Sequence, residues 1–161
     1  MMDTSAPASK GDQRVEGVDF SGTNNQEGGV DEADFVKTDG YYIYVLNGEK
    51  LVILGVPVFG QLTEVSQLAL EGVPSQMLMV DQNTDTQGYE KAIVFSLIGS
   101  SEVPASHPLG PAIDTSEPAL PRSPSVTKLT IIDMQNRAAP IVERELYIEG
   151  RYQTARRIES A

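Results

Sequence analysis

The chain contains no cysteine. Disulfides, thiolate catalysis and Cys-ligated metals are therefore excluded. It has one histidine, His107. A single imidazole builds no His-based metal cluster, and no Ser-His-Asp constellation can be argued from it. No stretch approaches the roughly 20 apolar residues of a membrane-spanning helix. The opening "MMDTSAPASKGDQ" has no apolar h-region, so no secretory signal is expected in it, and an exported form would need one removed from a longer parent. Positive charge is scarce, with 12 Lys and Arg against 23 Asp and Glu. The formal net charge of -11 argues against nucleic acid and anionic membrane surfaces, which attract cations. Gly-rich phosphate loops, nucleophile elbows and paired-His motifs are also missing.

What remains is the composition of a globular β-protein. The 161 residues fit one domain with a real core, and 40% are hydrophobic, an ordinary balance. Residues 1–28 are polar, with Val15, Val18 and Phe20 as the only residues fit to pack. They predict a mostly disordered tail. From Phe35 onward the pattern turns β. "YYIYVL" (41–46) and "KLVIL" (50–54) flank Asn47-Gly48, a strong hairpin signal. Both runs are apolar at odd and even positions, which predicts a sheet covered on both faces. "LTEVSQLALEG", "QMLMV" and "AIVFSLI" follow as further strands.

The chain then repeats itself. "KLVIL" at Lys50 matches "KLTII" at Lys128, an offset of 78 residues, and at that offset "LALEG" (68–72) falls on "LYIEG" (146–150). The second copy carries an insertion, "GSSEVPASHPLGPAIDTSEPALPRSPS" (99–125), with six of the ten prolines. Proline removes ladder donors, so this is a loop. Without it, each unit is roughly 45–50 residues of four short strands, the dimension of a propeller blade. The expected boundaries are a first blade at about 34–72, a second at about 79–149 around the Pro-rich loop, and the start of a third unit at 155–161. Propellers close with about four to eight blades, so the fold class is all-β, a partial β-propeller with about two four-stranded antiparallel blades. In the last strand of copy two, Val142, Arg144, Leu146 and Ile148 are expected to share one face and Glu143, Glu145, Tyr147 and Glu149 the other.

The stretch "NNQEGGVDEADFVKTDGYYIYVL" resembles the opening of bacterial and archaeal secreted proteins with a C-terminal β-propeller domain, distantly related to WD repeats. Asn24 and Asn25, Gly29 to Asp34, and Val36 to Gly40 carry the resemblance. "YIEGRYQTARRI" is similar to that family's blade junction, so the likeness covers roughly residues 23–161. It implies a propeller in an exported protein, in an extracellular, periplasmic or cell-surface setting. It implies no established reaction and brings no catalytic residues with it.

Several groups invite a functional reading. Asp31, Glu32, Asp34 and Asp39 offer oxygen ligands for a hard cation, but a strand places Asp31 and Asp34 on opposite faces. The expectation is structural: Phe35 buried, Gly40 in a turn, Asp31 and Glu32 in solvent. Asp81, Asn83 and Asp85 have calcium-loop spacing, yet Thr86 stands where the loop needs Gly and Ala92 where it needs Glu. His107 reads as an exposed loop residue, and its loop as dispensable for folding. "PALPRSP" (118–124) reads as a spacer more than a polyproline ligand. Tyr41, Tyr42 and Tyr44 suit either a glycan surface or the core, and core packing fits better. No catalytic residue, cofactor or metal ligand is assigned. The expected function is an exported binding or scaffold module for protein or glycan contacts, without nucleic acid or a membrane span, joined to the remaining blades of a longer chain. The rival is a fragment of a propeller enzyme whose central site needs those blades.

Overall fold

The computed structural model describes residues 30–80, 89–99, 103, 106–107 and 125–158. The opening tail, the Asp81–Asn83–Asp85 loop, the 118–124 segment and residues 159–161 lie outside the described residues.

The described residues form ten strands and no helix. The first sheet joins β2 (Val36–Thr38), β3 (Tyr42–Leu46), β4 (Lys50–Gly55) and β5 (Thr63–Ala69) in that order, all antiparallel. The second joins β6 (Val73–Val80), β7 (Lys91–Gly99), β8 (Ser125–Asp133) and β9 (Ile141–Glu149) in the same way. A two-stranded sheet pairs β1 (Val30–Glu32) with β10 (Arg156–Ile158). The second sheet starts at Val73, ahead of the residue 79 suggested by the repeat. The insertion falls between Gly99 and Ser125 as the prolines require.

The 78-residue repeat extends to irregularities that no apolar pattern reveals. In the first sheet the register shifts between Ile53 and Leu54, which leaves Val65 as the extra residue of a β-bulge. In the second it shifts between Ile131 and Ile132, which leaves Glu143 extra. These positions correspond at the same offset. So do Gly72 and Gly150, both at positive φ (76° and 114°), where residues with a Cβ are strained. Gly72 is doubly constrained, because a Cβ there would come within 2.5 Å of the Leu97 carbonyl oxygen.

The two sheets pack face to face. Tyr44, Leu51 and Ile53 from the first meet Met77, Met79, Val94 and Ile132 from the second, all fully buried. Each such side chain contributes about 1.5–3 kcal/mol relative to exposure. Alternation makes this possible: the odd residues of β4 point inward while Val52 and Leu54 stay half-buried on the far side.

Three expectations are overturned. Phe35 is 61% exposed, because a bend there interrupts the strand and the alternation restarts at Val36. Its backbone carbonyl serves the fold instead, accepting from the Leu46 N–H. Asp31 and Glu32 do not simply face water. Asp31 pairs with Lys37 and Glu32 with Arg156. Val142 does not share a face with Leu146 and Ile148. The Glu143 bulge resets the period, so Val142 pairs with Ile132 and turns toward the first sheet. Gly40 does occupy a turn, at φ 85°.

Candidate functional site

Two polar clusters sit at the junction of the sheets, and a third lies under the opening strand. The first cluster begins with the "TDG" turn. The Asp39 carboxylate accepts from the Tyr41 and Tyr42 N–H groups and, through Oδ2, from the Tyr44 hydroxyl at 2.8 Å. Arg137, in the turn after β8, donates from Nε to the same hydroxyl (3.2 Å) and from its terminal nitrogen to the Tyr89 carbonyl. Its guanidinium also lies over the Tyr42 ring. Burial, and then the Asp39 charge, hold the Tyr44 phenol far above its ordinary pKa, so it stays protonated. The net ties the first sheet to the second. Tyr44 is fully buried and Tyr42 packs on the core, while Tyr41 is half-buried.

The second cluster opens to solvent. Lys128 of β8 has a side chain only 3% exposed, and its Nζ lies 2.6 Å from Glu71 and 2.6 Å from Glu145. Glu71 stands in the short link between the sheets. Tyr147 donates its hydroxyl to Glu71 at 2.8 Å. His107 Nε2 lies 2.9 Å from the other Glu71 oxygen, and the imidazole meets the Tyr147 ring edge-on at 5.0 Å. The His107 side chain is 9% exposed, which corrects the expectation of a solvent-exposed residue. His107 thus joins the insertion to Glu71. Beside these groups runs a cleft of about 370 Å3 lined by Ala69, Leu70, Glu71, Lys128, Thr130, Val142 and Glu145.

Burial opposes the Glu71 charge, but hydrogen bonds from Lys128 and Tyr147 outweigh it and hold the carboxyl below its ordinary pKa. Burial likewise opposes the Lys128 charge, and bonds to Glu145 and Glu71 overcome it and raise its pKa. A carboxyl with a depressed folded pKa contributes stability that is present above its unfolded value and lost as pH falls through the folded one. Glu71→Gln is therefore expected to flatten the acid limb of stability below about pH 4.5. Urea midpoints across that range check it; an unchanged slope would show that Glu71 titrates alike in both states.

The third cluster answers for the acidic motif. Lys37, 2% exposed, donates to Asp31 at 2.6 Å and to the Glu32 carbonyl. Asp31 and Glu32 pair across β1–β10 with Arg157 and Arg156. Asp34 turns its carboxylate onto the Phe35 N–H at 2.7 Å, and its backbone exchanges two hydrogen bonds with Met77. The motif thus neutralises a buried lysine and fixes a strand. Among the described residues, no group of three or more His, Cys, Asp or Glu is placed to hold a metal ion, and no helix is long and apolar enough to cross a membrane.

The Lys128 cluster escaped the sequence reading. Glu71 and Lys128 are 57 residues apart, and only the repeated "LEG" and "IEG" (70–72 and 148–150) mark the link as special. Comparison with known proteins gives one result. The model of the family described as the beta propeller domain matches residues 20–161. No curated protein and no solved structure matches the chain.

Proposed function

The chain belongs to the beta propeller domain family, and on that premise we propose that it is an interaction scaffold, two successive blades of a ring that presents loops and edges to partner proteins. One observation carries the reading. Each sheet buries one face against the other and leaves its second face apolar. On the far side of the second sheet Ile141, Leu146 and Ile148 are 61%, 44% and 54% exposed. Such a face suits another blade, since blades succeed one another around a central channel. Further blades would complete the ring and leave loops and strand edges as the surface for partners. Binding is a better reading than turnover because the charged side chains at the sheet junction are engaged with one another.

The isolated chain is expected to self-associate, since exposed apolar faces and open edges pair with what is available. Light scattering combined with hydrogen exchange tests this. A concentration-independent monomer with slow exchange throughout would show that two blades suffice, and the ring reading would fail. The proposal includes export, supported by the opening motif. Fractionation of source cells with an antibody to the chain checks that part; recovery from the cytosol alone would remove it.

A further inference from the structure

The outermost strands of the two sheets occupy equivalent places and differ in charge. β5 carries one acidic residue, Glu64, within Thr63–Ala69. β9 carries Glu143, Glu145 and Glu149 against one cation of its own, Arg144, and stands at the open edge of its sheet; Glu143 is paired with Lys91, which leaves Glu145 and Glu149 as its acidic positions. We propose that the β9 edge and the cleft beside it bind an extended, lysine- or arginine-rich segment of a partner protein, which pairs its backbone with β9 and sets a basic side chain against Glu145. The proposal rests on the scaffold reading and names the class of partner.

Four observations converge on this occupant. First, β9 is nine residues long, regular from Arg144 to Glu149 beyond the Glu143 bulge, and exposed at every position but Tyr147, which is half-buried. An edge of that length offers a ready row of backbone donors and acceptors for strand addition. Second, the charge at the cleft is unbalanced. Glu71 and Glu145 are 37% and 43% exposed, while the one lysine between them is 3% exposed beneath them. An approaching segment meets carboxylate. Third, Thr130, directly across from Glu145 in the β8–β9 register, is 1% exposed and lines the cleft, and its Oγ1 has no hydrogen-bond partner among the described residues. A buried hydroxyl left without a partner carries a desolvation cost that a bound donor relieves. Fourth, Leu70 and Val142 give the cleft an apolar wall. A lysine or arginine stem lies well on such a surface with its charged head at a carboxylate.

The same features disfavour a second copy of this chain. Two β9 edges brought together would oppose glutamates with glutamates, and like charges across a strand pair are destabilising. The chain's net charge of -11 would add to the repulsion between two such edges and steer basic partners inward. The apolar far face behind β9 remains available to a neighbouring blade, since it lies on the other side of the sheet.

Calorimetric titration of the full chain tests the proposal. The probes are a capped nonapeptide alternating Lys and Thr, its Glu-for-Lys counterpart, and a Lys peptide with alternate amides N-methylated. The Lys peptide is expected to bind and the Glu peptide not. Glu145→Gln should weaken the Lys peptide about tenfold, the scale of one lost charge pair. N-methylation should weaken it at least as much, and Glu64→Gln on β5 should leave it unchanged. Slowed amide exchange along Ile141–Glu149 in the complex is expected too. Equal binding of both peptides would overturn the proposal. So would Lys-peptide binding indifferent to Glu145→Gln and to N-methylation, which would be diffuse attraction to an acidic protein. The light-scattering test of ring incompleteness uses no peptide. A failed titration beside confirmed self-association would therefore remove the β9 surface and leave the scaffold reading in place.

Discussion

Asp31→Ala is expected to destabilise the chain by about 3 kcal/mol, the scale of removing one partner from a buried ion pair. The reason is the location of Lys37. Its side chain is 1% exposed and sits 2.6 Å from the Asp31 carboxylate, with the Glu32 carbonyl as a further acceptor. Truncating Asp31 takes a carboxylate away from a buried ammonium. The cost comes from the stranded lysine more than from the lost contact. The double variant Asp31→Leu with Lys37→Met should accordingly recover most of the loss, because apolar replacement of a buried pair is often neutral. Urea unfolding of the two variants beside the parent chain decides. A loss below about 0.5 kcal/mol for Asp31→Ala, the range of ordinary surface substitutions, would show that Asp31 faces water after all.

A similar loss is expected for Asp39→Ala, at about 3 kcal/mol, since hydrogen bonds to a charged group are worth about 1.5–3 kcal/mol each and do not add fully. The carboxylate holds the Tyr41 and Tyr42 N–H groups, which set the β2–β3 turn, and the Tyr44 hydroxyl, which reaches the second sheet through Arg137. Removing it loosens one hairpin and the junction of the two sheets together. Tyr44→Phe removes only the hydroxyl and should cost less than Asp39→Ala. Thermal unfolding monitored by circular dichroism ranks the two. The reverse order would place the weight on the Arg137–Tyr44 bond and make the turn incidental.

Periodicity and repetition made the architecture readable. Fixed-offset similarity between "LALEG" and "LYIEG" (68–72 and 146–150) marked two units, and the positive-φ glycines at 72 and 150 show what those sequences do. The proline-rich stretch falls between the end of β7 at Gly99 and the start of β8 at Ser125; a residue without an N–H cannot join a ladder. Local irregularity hid the rest. A bulge at Glu143 reverses the face of Val142, and strict alternation has no means of announcing it. A bend at Phe35 does the same at the opening of the first sheet. Lys37 and Lys128 were hidden for another reason. Lysine is almost always exposed unless paired, and both lysines are buried by partners the sequence does not mark as such. His107 looked like one more loop residue among prolines because its partner, Glu71, stands 36 residues earlier in the chain.

The pairing of Val30 with Ile158 has a kinetic side. Those residues are 128 positions apart, so their pairing closes around both four-stranded sheets. Hairpins such as β3–β4 join residues a few positions apart and can form as soon as their turn is made. Bringing distant segments together costs closure entropy that local contacts do not require, and non-local pairing slows folding. The acidic strand must therefore wait, and during synthesis it leaves the ribosome long before its basic partner exists. Until Arg156 and Arg157 arrive, Asp31 and Glu32 lack the residues they face across that ladder. Closure of β1 on β10 comes last for these two sheets, a seam that forms only when everything between its two sides has been made.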